Sequence, residues 1–182
     1  MFQEWWVPIF NMAVASAGRG LDLLSTWYVT PRLKLETGRI IGRLGWKGAI
    51  LLQLPVVFLA SLHVSLAVFV FTLSLLLAAG NVQGAWFVKG VGEEKYFELM
   101  VKAARRAGWD EIVLSEVGHL ALYTVPAATV SYILAAPTSM CTFPWDVRVL
   151  ALPILLATAF YGFLGTFRML TYLHRLRGRM LF

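Results

Sequence analysis

Arg19 and Asp22 are the residues of this chain with the clearest chemical potential. They stand in the stretch Gly18-Arg19-Gly20-Leu21-Asp22-Leu23-Leu24-Ser25-Thr26, inside a run from about residue 5 to residue 30 that is otherwise apolar. Three residues apart on a helix, they share a face and can form an ion pair. Ser25 and Thr26 continue that face in one direction and Asn11 in the other. A guanidinium and a carboxylate in hydrocarbon cost at least about 2.5 kcal/mol each on insertion scales, so this face must be covered by protein or water. Three kinds of work fit such a face: polar glue between helices, a site for an ion or small substrate, or a seam for a partner subunit.

The rest of the chain must supply that cover. Of its 182 residues 59% are hydrophobic and only 14% charged, with a mean hydropathy of +0.70; a soluble domain carries closer to a quarter charged residues. The apolar residues also come in long unbroken runs, the mark of an integral membrane protein. A net charge of +6 could point to nucleic acid, but no basic patch interleaved with aromatics is present, and no nucleic-acid partner is expected. The single cysteine, Cys141, allows no internal disulfide and no cysteine metal knuckle. The first run has neither a basic leader nor a small-residue cleavage site, so it is expected to stay in the mature protein.

Hydropathy, aromatic belts and prolines predict an all-α bundle of five transmembrane helices, at about 5–29, 46–62, 65–87, 119–136 and 145–172, within a single domain. Residues 48–87 are about twice the length of one span and read as a hairpin turning near Ser61-Leu62-His63-Val64-Ser65, with a break near Gly80-Asn81 as the alternative. Pro55 is expected to kink the second span, and Pro126 lies inside the fourth. Between spans three and four, Phe97, Met100, Val101 and Ala104 alternate at helical spacing with Glu94, Glu98, Lys102, Arg105 and Arg106. This predicts one amphipathic cytoplasmic helix over about 91–107, and Asp110 is expected to cap a second short helix after it. Every Lys and Arg except Arg19 and Arg148 falls in 31–47, 88–117 or the end from Arg168 onward. Five crossings put these on one side, which the positive-inside rule makes cytoplasmic, with the N-terminus outside and the C-terminus inside. The basic tail is expected to touch anionic lipid.

Counting along the spans places Asp22, Asn81, Gln83, Tyr123, Thr124, Tyr161 and Thr166 in the inner half of the bundle. The expected polar intramembrane cluster is Arg19, Asp22, Ser25, Thr26, Asn81, Gln83 and Tyr123. His119 and His174, placed at inner span ends, are weak metal candidates that could approach each other; they lack a carboxylate at ligand spacing, and no motif indicates a cofactor. No serine sits in a nucleophile elbow, and Cys141 has no basic neighbour closer than Arg148 to activate it.

The stretch Asp22-Leu23-Leu24-Ser25-Thr26 followed by Lys34-Leu35-Glu36-Thr37-Gly38 resembles a group of small polytopic prokaryotic membrane proteins with no assigned activity. In them a first-span Asp precedes Ser or Thr and a Glu opens the next loop. The likeness covers roughly a tenth of the chain, and Thr37-Gly38 stand where that pattern carries Asn-Pro. It implies weight for Asp22 and for Glu36 as a loop site, and a prokaryotic inner or plasma membrane. Small size and the absence of a catalytic signature lead first to a non-catalytic accessory or scaffold subunit, packed against other membrane subunits or a second copy of itself. The alternatives are a small transporter or channel using Arg19 and Asp22, and a membrane-embedded enzyme acting on a lipid or isoprenoid.

Overall fold

Prolines and glycines set the breaks between helices. The computed structural model describes residues 6–33, 35, 39–135 and 145–178, and comprises α1 (Trp6–Val29), α2 (Arg39–Leu51), α3 (Gln53–Ser61), α4 (Val64–Gln83), α5 (Ala85–Val91), α6 (Glu93–Arg106), α7 (Trp109–Ala135) and α8 (Trp145–Gly178). No strand occurs among the described residues. α1 stops just before Pro31. Pro55 has no N–H for the carbonyl of Leu51 and crowds it, and the chain breaks at Leu52, between α2 and α3. Gly45, at φ 64°, bends α2, and Gly92, at φ 85°, turns the chain from α5 into α6; both conformations favour glycine. His63 caps α4, its Nδ1 accepting from the Ser65 N–H at 3.1 Å. Pro153 lies inside α8; the Val149 carbonyl it leaves without a helical donor accepts from Ser65 Oγ at 3.4 Å.

Among the described residues four helical stretches are long and apolar enough to cross a membrane: Leu44–Ser61, Val64–Val91, Trp109–Ala135 and Val147–Arg177. They fit a multi-pass membrane protein. α1 is not among them, because Asn11, Arg19 and Asp22 dilute its hydropathy, although its 24 residues measure about 36 Å.

Contacts between helices set their directions. Asn11 meets Ser61 and Arg19 meets Gln53, so α1 and α3 are antiparallel. Gly18 lies on Phe71, Arg19 reaches Ser74, and Asn81 reaches Thr26, so α1 and α4 run parallel. Ser65 with Val149, and Gly80 with Tyr161, make α4 and α8 parallel. Thr124 donates to the Ala159 carbonyl at 2.9 Å and Thr166 to that of Glu116 at 3.1 Å, so α7 runs back along α8. α4 lies between α1 and α8, with α3 on the flank of α1 and α7 on that of α8.

Several expected boundaries are corrected. The hairpin turns at Leu62-His63, so the alternative break at Gly80-Asn81 is set aside; both residues lie inside α4. α4 and α5 together carry an apolar helical stretch on to Val91 with an interruption at Gly84, beyond the 87 expected for the third span. No separate short helix starts at Asp110; α7 is continuous from Trp109, with the Glu111 carboxylate accepting from the Gly108 N–H at 2.9 Å, one half of a capping box. The helix expected to carry the fifth span does not stop at 172; α8 continues to Gly178. There Arg177 donates to the Ala107 carbonyl at 2.7 Å, at the C-terminal end of α6. Glu36 and the loop around Cys141 lie outside the described residues.

Candidate functional site

Arg19 is the hub of a polar cluster shared by α1, α3 and α4. Its Nη2 pairs with Asp22 Oδ2 at 3.0 Å, its Nε donates to Gln53 Oε1 at 2.5 Å and its Nη1 to Ser74 Oγ at 3.3 Å. The paired side chains are only 17% and 13% exposed, and Ser74 is fully buried. Charge-assisted hydrogen bonds of this kind are stronger than neutral ones and offset part of the cost of removing the ions from water. From α4, Asn81 Nδ2 lies 3.0 Å from Ser25 Oγ, 2.9 Å from Thr26 Oγ1 and 3.5 Å from Asp22 Oδ1. The Ser25 and Thr26 hydroxyls donate to the Asp22 main-chain carbonyl, at 2.8 and 2.9 Å. Their oxygens are thereby turned to receive the Asn81 amide.

Five of the expected cluster residues therefore meet: Arg19, Asp22, Ser25, Thr26 and Asn81. Two do not. Gln83 is exposed, because two residues on from Asn81 an α-helix has turned to its other side. Tyr123 belongs to α7, on the far side of α8, and packs in a separate group with His119 (ring centroids 4.7 Å apart) and Tyr161 (5.6 Å). His119 and His174 do not approach each other. The antiparallel register sets His119 beside Gly165 and His174 beside Trp109, about 13 Å apart along α8. His119 is also ten residues inside α7, not at its end. Among the described residues no three His, Cys, Asp or Glu side chains gather where one metal ion could bind.

Gln53 and Ser74 are cluster members the sequence reading missed. Gln53 had a signal, as the one amide in the apolar stretch from Ala49 to Ala60. Ser74 had none, since a serine in a span bonds its own helix as readily as a neighbour; here it does both, donating to the Val70 carbonyl at 2.6 Å.

The cluster forms one end of a cavity of about 580 Å³. From Arg19 and Gln53 the cavity runs between α1, α4 and α8, past Asn81 and Tyr161, to the end of the bundle where Thr30, Tyr96 and Arg168 line it. Its walls are largely apolar, with leucine, valine and methionine prominent, and α6 contributes Tyr96 and Met100. α6 is held against the end of α1 by two acids: Glu93 accepts from the Thr30 hydroxyl, and Glu94 pairs with Arg32 at 3.8 Å. Trp46 Nε1 donates to the Pro31 carbonyl at 2.9 Å and closes the side beside α2. A pocket of this size, largely apolar with a few convergent polar groups, is the ordinary form of a small-molecule site.

Comparison with known proteins returns no matching family model, no matching curated protein and no matching solved structure.

Proposed function

We propose that the chain is a small transporter that crosses the membrane five times and takes up its ligand in an inward-facing pocket ending at Arg19 and Asp22. One observation carries this reading: a cavity of about 580 Å³ has the buried ion pair and Asn81 at its far end. Glue between helices needs no cavity beside it, whereas a ligand site does. An intramembrane ion pair beside a cavity is by default a functional-site hypothesis. The accessory-subunit reading leaves this cavity without a use.

Charge supports the orientation. Arg32, Lys89, Lys95, Lys102, Arg105, Arg106, Arg168, Arg175 and Arg177 all lie at or near the end of the bundle reached by the cavity. By the positive-inside rule that end faces the cytoplasm. α6, with acids in its first turn and bases in its last, then serves as an amphipathic helix at the inner surface and as part of the pocket wall.

Single cysteines at Thr26, Asn81 and Ser74, each in a Cys141→Ser background, test the reading with a membrane-impermeant thiol reagent. Residues 26 and 81 line the cavity, and residue 74 is sealed between helices. The first two are expected to react in inverted vesicles and not in right-side-out ones, and the third in neither. Protection of residues 26 and 81 from both sides would overturn the inward-facing pocket.

A further inference from the structure

Three charged side chains among the described residues line the cavity: Arg19, Asp22 and Arg168. Arg19 and Asp22 neutralise each other at 3.0 Å, and the remaining guanidinium nitrogens of Arg19 are taken by Gln53 and Ser74. Arg168 differs. It is half-buried on the inner part of α8, two turns from Tyr161, and makes no hydrogen bond or ion pair to another described residue. Among the described lining residues one positive charge is thus in excess, on a planar donor fork suited to a carboxylate, sulfonate or phosphate. Of the described acids at that end, Glu93 accepts from the Thr30 hydroxyl and the Arg32 main-chain N–H, and neither it nor Glu116, whose main-chain carbonyl accepts from Thr166, lines the cavity. Between Arg168 and the neutral cluster the wall holds Leu77, Gly80, Gly84, Tyr161 and Leu164, apolar but for the Tyr161 hydroxyl.

We infer that the pocket takes an organic monoanion: one oxyanion group held by Arg168 and an apolar body lying along α4 and α8 toward Asn81. This rests on the transporter reading and names its substrate class. The oxyanion can come from a soluble organic acid or from an anionic lipid of the inner leaflet. Cations are disfavoured by the uncompensated guanidinium, and neutral analogues lose the charge-assisted hydrogen bonds.

The test uses the full-length protein in phosphatidylcholine nanodiscs, titrated calorimetrically with octanoate, octanol and octylammonium against empty discs. Octanoate is expected to bind at least about tenfold more tightly than either analogue, the worth of one charge-assisted hydrogen bond. Arg168→Gln should abolish that preference, Arg168→Lys should restore most of it, and Arg175→Gln, outside the cavity, should leave it intact. Equal binding of the three probes by the wild-type protein overturns the anion assignment and leaves the pocket standing; this comparison needs no variant to fold. An octanoate preference that survives Arg168→Gln also overturns it. Binding of no probe above empty discs counts against the ligand pocket itself. Discs containing phosphatidylglycerol separate the sources: loss of octanoate binding there, with one lipid retained in native mass spectrometry, identifies the lipid, and unchanged binding identifies the soluble acid.

Discussion

The Arg19 guanidinium is engaged on all three nitrogens, by Asp22, Gln53 and Ser74, so its removal leaves more than one group stranded. Breaking a buried ion pair by deleting one partner costs about 3 to 5 kcal/mol, because the surviving charge stays uncompensated, whereas replacing both with apolar groups costs far less. Arg19→Met and Asp22→Leu should therefore each destabilise the folded protein strongly, and the double variant by clearly less than their sum. Unfolding in mixed micelles would measure the cycle, and simple additivity would show that the pair is not coupled. This part of the site was legible in the sequence, since a charged residue in an apolar run advertises its need for a partner. Asn81 was legible for the same reason. Gln83 was misjudged because depth along a helix says nothing of azimuth: two residues rotate the side chain by more than half a turn. In the sequence Arg168 merely opens a basic end that sets topology, and only the packing of α8 against α4 puts it on the wall of the cavity.

Helix packing explains why α1 can hold so polar a face against α4. At Gly18 the two backbones come so close that an added Cβ would stand 2.9 Å from the Phe71 Cα, while at Gly20 it would meet nothing within 4 Å. Small residues at such crossings let membrane helices approach closely. Gly18→Leu is thus expected to force α1 off α4, lowering thermal stability and opening the contacts of Asn81 with Ser25 and Thr26. Gly20→Ala should be neutral or stabilising by up to about 1 kcal/mol, through helix propensity alone. If the two variants melt alike, the close crossing is not what seats the cluster. Element identity was readable where apolar runs met turn chemistry, as at His63. It failed for the start of α7, where Asp110, Glu111 and Glu116 lower the apolar signal although the helix is already under way. It failed again at the end of α8, because a polar tail looks the same whether coiled or helical, and the Arg177 bond to Ala107 that helps fix it is a long-range contact.

At the scale of the whole molecule the question is whether α1 crosses the bilayer with the other helices. Hydropathy alone leaves it out, since among the described residues four stretches and not five are apolar enough. Geometry argues for crossing. α1 lies alongside α4 in the same direction from Gly18 at Phe71 to Thr26 at Asn81, and alongside α3 from Asn11 at Ser61 to Arg19 at Gln53. A helix in step with two apolar neighbours shares their depth. Its polar face is covered by those neighbours, while Trp6, Ile9, Phe10 and Leu24 remain on the outside, the side that lipid would meet. A surface-bound α1 would instead have to tilt these contacts out of register. In a Cys141→Ser background, Trp6→Cys and Arg32→Cys, both at exposed positions, should therefore react with an impermeant maleimide from opposite faces of the membrane. His63→Cys should label with the first and Arg106→Cys with the second, which calibrates the two faces independently of α1. Labelling of residues 6 and 32 from one face would reduce the bundle to four crossings and leave Arg19 and Asp22 at the membrane surface, where an ion pair needs no protein to shelter it.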